Sequence, residues 1–319
     1  MSTLPVISLA PLLTTLPSPS DLQNTLNALS SACTTHGFFY LTDHGIPPER
    51  LKQVLTLTRN FFKTASPADK ERLARQDPDG ARGFQRLGEN VTLGKRDAHE
   101  AVDFYREWDE SNSSLRPKDG TLGGKNLWPE QPADLKAEMN KYVEEVLKVG
   151  SVLVEAMGRA LGLDGDEANE LVRCTDKSFW VMRMIGYPPL EDCAEGVSCG
   201  EHTDYGCVTL LLADETPNAL QVLTRSGEWI YANPIPGAYV VNIGDMIERW
   251  TNGLWKSTLH RVIHTGSNYR VSVPFFFEPN FNARIRPLKK CIEKTGGKEI
   301  GDEVVYGDHL IGKIKGNFY

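Results

Sequence analysis

Cysteine is scarce in this sequence: six in 319 residues, at positions 33, 174, 193, 199, 207 and 291, with no Cys-x-x-Cys pair. That argues against a disulfide framework or a cysteine-rich structural zinc site, and the six read as reduced thiols, several of them buried. Basic charge is not in excess either. With 35 Lys and Arg against 42 Asp and Glu, the net charge is -7, so no nucleic acid and no anionic membrane is expected as partner. No apolar run approaches the roughly 20 residues of a membrane-spanning helix. Met1 to Leu16 has no basic leader and is broken by Pro5 and Pro11, so the expected setting is cytoplasmic. Internal repeats and low-complexity tracts are missing too.

What is present reads as a single unit over 1-319, mainly β with helices. Leu4 to Leu9 predicts a strand. Leu22, Leu26, Leu29 and Cys33 recur at helical spacing, with Ser20 or Asp21 placed to cap. Phe38 to Leu41 predicts a buried strand. Leu51, Val54, Leu55, Thr58, Phe61 and Phe62 mark a second helix from about Pro48, and Pro67 opens a short third one. Residues 75-126 are rich in Gly, Asp and Arg and read as loop. A loop of that length inside a compact domain tends to line a site, which makes Phe84 a candidate substrate contact. Leu135, Met139, Tyr142, Val146, Val149, Leu153 and Ala160 form the stripe of one long helix within 131-175, a brace behind a sheet. Short apolar runs then follow from 176 to 281, separated by Gly, Pro and Asn, as in a jelly roll or barrel. The tail 282-319 carries no readable signal.

One stretch concentrates the chemistry. Gly200-Glu201-His202-Thr203-Asp204-Tyr205-Gly206 runs into the apolar Cys207 to Leu212. On a strand His202 and Asp204 would share a face. A further histidine, His260, begins another apolar segment. Two imidazoles and a carboxylate on one face of an iron leave the opposite face open, as non-haem Fe(II) oxygenases require. Arg270 and Ser272, again two apart on the strand Tyr269 to Phe277, form a receiver for a carboxylate, because a guanidinium donates two parallel charge-assisted bonds.

This ordered set resembles the 2-oxoglutarate and Fe(II)-dependent dioxygenases, in the branch that includes isopenicillin N synthase. Further matching segments are Leu4-Pro5-Val6-Ile7-Ser8, His36-Gly37-Phe38-Phe39-Tyr40, His44-Gly45-Ile46, Tyr187-Pro188-Pro189 and Asn242-Ile243-Gly244-Asp245. The resemblance implies a double-stranded β-helix (jelly-roll) core braced by the long helix and an N-terminal α/β extension over 1-130. It implies Fe(II) on His202, Asp204 and His260, with 2-oxoglutarate held by Arg270, Ser272 and Tyr187, and O2 as oxidant. Ile185 departs from the pattern, which usually has asparagine there. The implied reaction oxidises a small organic molecule, of the secondary-metabolite kind, with release of succinate and CO2, by hydroxylation, desaturation or ring formation. Two alternatives share much of this signature: an oxidase of the isopenicillin N synthase type that does not use 2-oxoglutarate, and a non-catalytic metal-binding jelly roll. Arg183, among apolar neighbours, either meets a substrate carboxylate or an internal acid from inside the barrel, or faces solvent. Phe276 shares the face of Ser272 and is a candidate pocket wall.

Overall fold

The computed structural model describes residues 4-76, 78-92, 94-189 and 197-317; Cys193 lies outside them. Two sheets form the core. The larger has eight strands, in spatial order Val6–Ser8, Phe38–Thr42, Tyr239–Ile243, Val208–Ala213, Arg270–Phe277, Val181–Tyr187, Glu100–Tyr105 and Gly83–Gln85. The smaller has four: Trp229–Tyr231, Leu220–Leu223, His260–Val262 and Cys199–His202. Apart from the parallel pair at the amino-terminal edge, the pairings within both sheets are antiparallel.

Period-two alternation sorts the side chains of the large sheet. Phe38, Tyr40, Ile185, Tyr187 and Val240 face the small sheet and form one apolar cluster with Leu220, Val222 and Val262. Phe39, Leu41, Met182, Met184, Val241, Val271, Val273 and Phe275 face the other way, onto the helical layer. There the long helix Leu135–Ala160 packs on Val208–Ala213 and Arg270–Phe277 and on the helices Pro19–Thr35 and Pro48–Thr64. This is the expected jelly roll with its brace.

The sequence reading departs from the structure in two places. Residues 75-126 contain two strands of the large sheet, Gly83–Gln85 and Glu100–Tyr105, the second paired along its whole length with Val181–Tyr187. The run from Gly200 to Leu212 is also not one strand. Cys199–His202 belongs to the small sheet, Val208–Ala213 to the large one, and residues between them turn from one sheet to the other. None of the described helices is long and apolar enough to cross a membrane. The described cysteines, 33, 174, 199, 207 and 291, are free thiols.

Candidate active site

His202 and His260 stand directly opposite each other on neighbouring antiparallel strands, which places their imidazoles side by side, ring centroids 4.2 Å apart. Asp204 comes from the turn rather than from a strand. Its placement depends on the segment after Tyr239–Ile243, where the amides of Asp245 and Met246 bond the carbonyls of Asp204 and Gly206 at 2.8 and 2.9 Å. Gly244 makes that approach possible: a Cβ there would lie 2.5 Å from the Gly206 carbonyl oxygen and 2.9 Å from that of Asp204. His202 and Asp204 do converge, as the spacing suggested, but through a turn between two sheets.

The protons of the triad follow from its partners. The Gly200 carbonyl lies 2.8 Å from His202 Nδ1 and the Thr258 carbonyl 3.1 Å from His260 Nδ1. A carbonyl only accepts, so both Nδ1 atoms carry hydrogen, and each Nε2 is left to present its lone pair when its imidazole is neutral. These Nε2 atoms face Asp204 Oδ1 at 3.8 and 3.7 Å. Asp204 Oδ2 is occupied by Asn242 Nδ2 at 2.6 Å and by the Thr209 hydroxyl, which leaves Oδ1 for the site. Burial opposes charge on Asp204, yet His260, His202 and these two hydrogen bonds hold its carboxyl below the usual range. Burial, together with the charge of His202, pushes His260 down to about 4, so it is a neutral donor at neutral pH. His202 shifts the other way: against burial, the nearby Cys199 sulfur and Asp204 raise it to about 10, and a metal at Nε2 would replace that proton. Two imidazole nitrogens and one carboxylate oxygen with fixed outer partners suit a divalent first-row metal such as Fe(II).

A second cluster, Asp97, His99 and Cys199, has ligand-like spacing. Its carboxylate is already taken by the Gly200 amide and the Thr92 hydroxyl, both at 2.8 Å, and by Asn90, and His99 Nδ1 is taken by the Ser198 carbonyl at 2.8 Å. It frames the strand that carries His202.

Two cavities meet at the triad, sharing Arg183, His202, Asp204 and Phe276 as walls. The inner one, about 70 Å³, reaches Arg270, Ser272, Tyr187, His99 and Ile185. Arg270 and Ser272 point into it because even-numbered positions of Arg270–Phe277 face the small sheet. Arg270 lies over the Tyr187 ring, 4.6 Å from its centroid. Arg270 Nε and Nη1 and Ser272 Oγ are buried with no hydrogen-bond partner among the described residues. Buried donors in that number require an acceptor, and a carboxylate such as that of 2-oxoglutarate matches them.

The outer cavity, about 120 Å³, is bordered by Gln85, Asp103, Tyr105, Glu278, Leu310 and Ile314 among others. Arg183 meets an internal acid here: Nε donates to Asp103 at 2.7 Å and Nη2 to Gln85 Oε1 at 3.2 Å. Burial pushes the Glu278 carboxyl up to about 8; the Tyr306 hydroxyl beside it works against this, and Asp204 and Asp245 add to it. Phe276 lines both cavities. Phe84 does not line either one. Alternation turns it into the apolar core on the helical side, with Lys70 Nζ 5.7 Å over its ring, and its neighbour Gln85 faces the cavity instead. His264 lies beyond the end of its strand and bonds the Asn268 carbonyl at 2.7 Å, away from the triad. Sequence reading names Asn242 only within a matching segment, without a role, and passes over Thr209, Gln85, Asp103 and Glu278. The available signal was a polar side chain inside or at the end of an apolar run.

Comparison with known proteins agrees with this geometry. Residues 4-131 match the family model described as the N-terminal region of non-haem dioxygenases in morphine synthesis, and residues 176-279 match that of the 2OG-Fe(II) oxygenase superfamily. Homoarginine-6-hydroxylase 2-ODD-233 of Oryza sativa subsp. japonica is 41% identical over 325 residues, covering 99% of this chain and 97% of that enzyme. Among solved structures, a full-length Neurospora crassa protein in complex with α-ketoglutarate (2-oxoglutarate) and thymine superposes with a TM-score of 0.83 at 25% identity, over 98% of this chain and 96% of that one. JOX2 in complex with 2-oxoglutarate, iron and JA superposes with a TM-score of 0.78, also at 25% identity, over 98% and 85%. These relatives favour the 2-oxoglutarate-using reading over an oxidase without that cosubstrate and over a non-catalytic jelly roll. With both family models matched in order and such identity along nearly its whole length, the chain belongs to the 2OG-Fe(II) oxygenase superfamily, as an Fe(II)- and 2-oxoglutarate-dependent dioxygenase acting on a small molecule.

Proposed function

We propose that this enzyme hydroxylates a cationic aliphatic amino acid of the homoarginine kind. In this reading His202 Nε2, Asp204 Oδ1 and His260 Nε2 hold the iron, and Arg270 and Ser272 hold the far carboxylate of 2-oxoglutarate. The observation that carries the cosubstrate assignment is the set of unpartnered buried donors on Arg270 and Ser272 in a cavity that ends at the triad. The substrate class is supported by the name of the rice relative, which aligns with 99% of this chain.

When bound, the iron activates O2, and with 2-oxoglutarate the products are succinate, CO2 and the hydroxylated substrate. The protein's part is positioning and exclusion. Asn242 and Thr209 hold Asp204 so that one oxygen alone faces the metal position. Tyr187 supports the Arg270 guanidinium from below. Leu211, Leu220, Val262, Pro274 and Ile185 make the inner cavity apolar, which excludes water and strengthens the charge-assisted bonds inside it. Ile185 offers no hydrogen bond at its corner, so the cosubstrate there depends on Arg270, Ser272 and Tyr187.

Succinate release measured with homoarginine, arginine, lysine and a neutral amino acid of equal length tests the reading. Homoarginine is expected to stimulate succinate formation in step with hydroxylated product, and His260→Ala to abolish both while the protein stays folded. Succinate formation indifferent to every cationic amino acid would refute the substrate class; full activity in His260→Ala would refute the metal site.

A further inference from the structure

Glu278 follows the last residue of the strand Arg270–Phe277 and is only 3% exposed. It borders the outer cavity, together with Gln85, Asp103 and Arg183. Its carboxyl rests on the backbone of Gly206, where a Cβ would lie 1.2 Å from Oε2. The Tyr306 hydroxyl and the Cys207 amide lie beside the carboxyl and favour its charged form, although Oε2 and the Tyr306 hydroxyl make no hydrogen bond of normal geometry among the described residues. The acids Asp204 and Asp245 both act against charge on Glu278.

The other charges in the cavity have counterparts. Arg183 and Asp103 neutralise each other at 2.7 Å, and Asp204 belongs to the metal triad. Glu278 remains as a buried carboxyl in a negative surrounding: burial keeps its proton on at neutral pH, and only a cation set against it makes the charged form favourable. Val181, Phe276, Leu310 and Ile314 make the rest of the lining largely apolar. A ligand that satisfies both is an aliphatic chain ending in a guanidinium or ammonium group.

We infer that Glu278 ion-pairs the terminal cation of the substrate and thereby selects the carbon next to that cation for oxidation. This rests on the amino-acid reading above and extends it to a residue and a position. Glu278 lies against Gly206, two residues beyond Asp204, so a cation held there brings the adjacent methylene, rather than the amino-acid head, to the metal position. The step balances with the established cosubstrates: one atom of O2 enters the C–H bond as hydroxyl and the other enters succinate.

The test is anaerobic calorimetric titration of the Fe(II) and 2-oxoglutarate-loaded enzyme, wild type and Glu278→Gln. The probes are homoarginine and its neutral ureido isostere homocitrulline, together with the headless pair butylguanidine and butylurea. Wild type is expected to prefer each guanidinium over its urea by roughly 30-fold or more, the scale of a desolvated charge-assisted bond. Glu278→Gln is expected to remove that preference while changing urea affinity less than about threefold, which a merely misfolded site would not do. Loss of affinity for guanidinium and urea alike, or a preference that survives in Glu278→Gln, overturns the assignment. If butylguanidine shows the Glu278-dependent preference and homoarginine does not bind, the Glu278 assignment stands and the amino-acid reading falls. If no probe distinguishes cation from urea in wild type, the Glu278 assignment falls.

Discussion

Replacing Arg270 by methionine separates binding from stability in a way few buried arginines allow. Arg270 is 2% exposed, and its Nε and Nη1 have no partner among the described residues. Two charge-assisted hydrogen bonds to a carboxylate contribute about 1.5–3 kcal/mol each. Arg270→Met should therefore weaken 2-oxoglutarate by about 3–6 kcal/mol, or roughly 10²- to 10⁴-fold in Kd. Arg270→Lys keeps the charge but loses the fork, and should fall about halfway between. Without 2-oxoglutarate the prediction reverses. No protein acid is deprived of a partner, so an apolar side chain of similar volume should leave stability unchanged or raise it by about 1–3 kcal/mol. Anaerobic titration of the Fe(II)-loaded variants with 2-oxoglutarate, read at the visible charge-transfer band of the chelate, gives the affinities, and urea unfolding without cosubstrate gives the stabilities. A change in Kd below about threefold, or a loss of more than about 2 kcal/mol in the cosubstrate-free protein, would show that Arg270 holds the fold rather than the ligand.

Two further outcomes follow from the same neighbourhood. Glu278 has its pKa raised to about 8 in the fold from an ordinary value of 4.5, so the native state holds the proton more tightly than the unfolded chain. Its contribution to stability is fully present below about pH 4.5 and is lost as pH rises towards 8, on the order of 4 kcal/mol. In the metal-free protein Glu278→Gln should match wild type near pH 5 and exceed it at pH 8 in urea unfolding; equal stabilities at pH 8 would contradict the buried-carboxyl picture. Gly244→Ala places a methyl group 2.5 Å from a backbone oxygen that cannot swing aside. It should cost about 1–3 kcal/mol and weaken Fe(II) binding by displacing the turn that carries Asp204; an unchanged iron affinity would show that the turn is set elsewhere.

The features that were readable in advance are those that a period of two or 3.6 expresses locally. Arg270, Ser272 and Phe276 were assigned to one face because they lie within one strand, and they do share it. The stripe from Leu135 to Ala160 is likewise a property of one helix. His202 and Asp204 were paired through the wrong local structure, since sheet order is not written in the spacing of a short motif. Glu100–Tyr105 was read as loop because its inner face lines a polar cavity, so Asp103 interrupts the apolar alternation of Ala101, Val102 and Phe104. The small helix Gly165–Arg173 is charged and short, with Leu171 its buried residue, which leaves little stripe to detect. For Glu278 the only local signal is its place at the end of the run Phe275 to Phe277; its burial depends on Gly206, Tyr306 and the turn at 204, which only the folded chain brings together.

Part of the outer cavity's wall is supplied by a different part of the chain from the triad. Gln85, Asp103 and Tyr105 on the outer wall come from the first third of the chain, whereas the triad, Arg270 and Ser272 come from the last part of the core. Arg183 joins the two through Asp103. Changes at Asp97 and His99 also reach the strand that carries His202, whereas drift at Gln85, Asp103 and Tyr105 can retune which molecule is accepted. Such exchange is not free, because those same positions supply two adjoining strands of the large sheet. A graft from a relative has to bring its own partner for Arg183, or leave a buried guanidinium to find one in whatever enters the pocket.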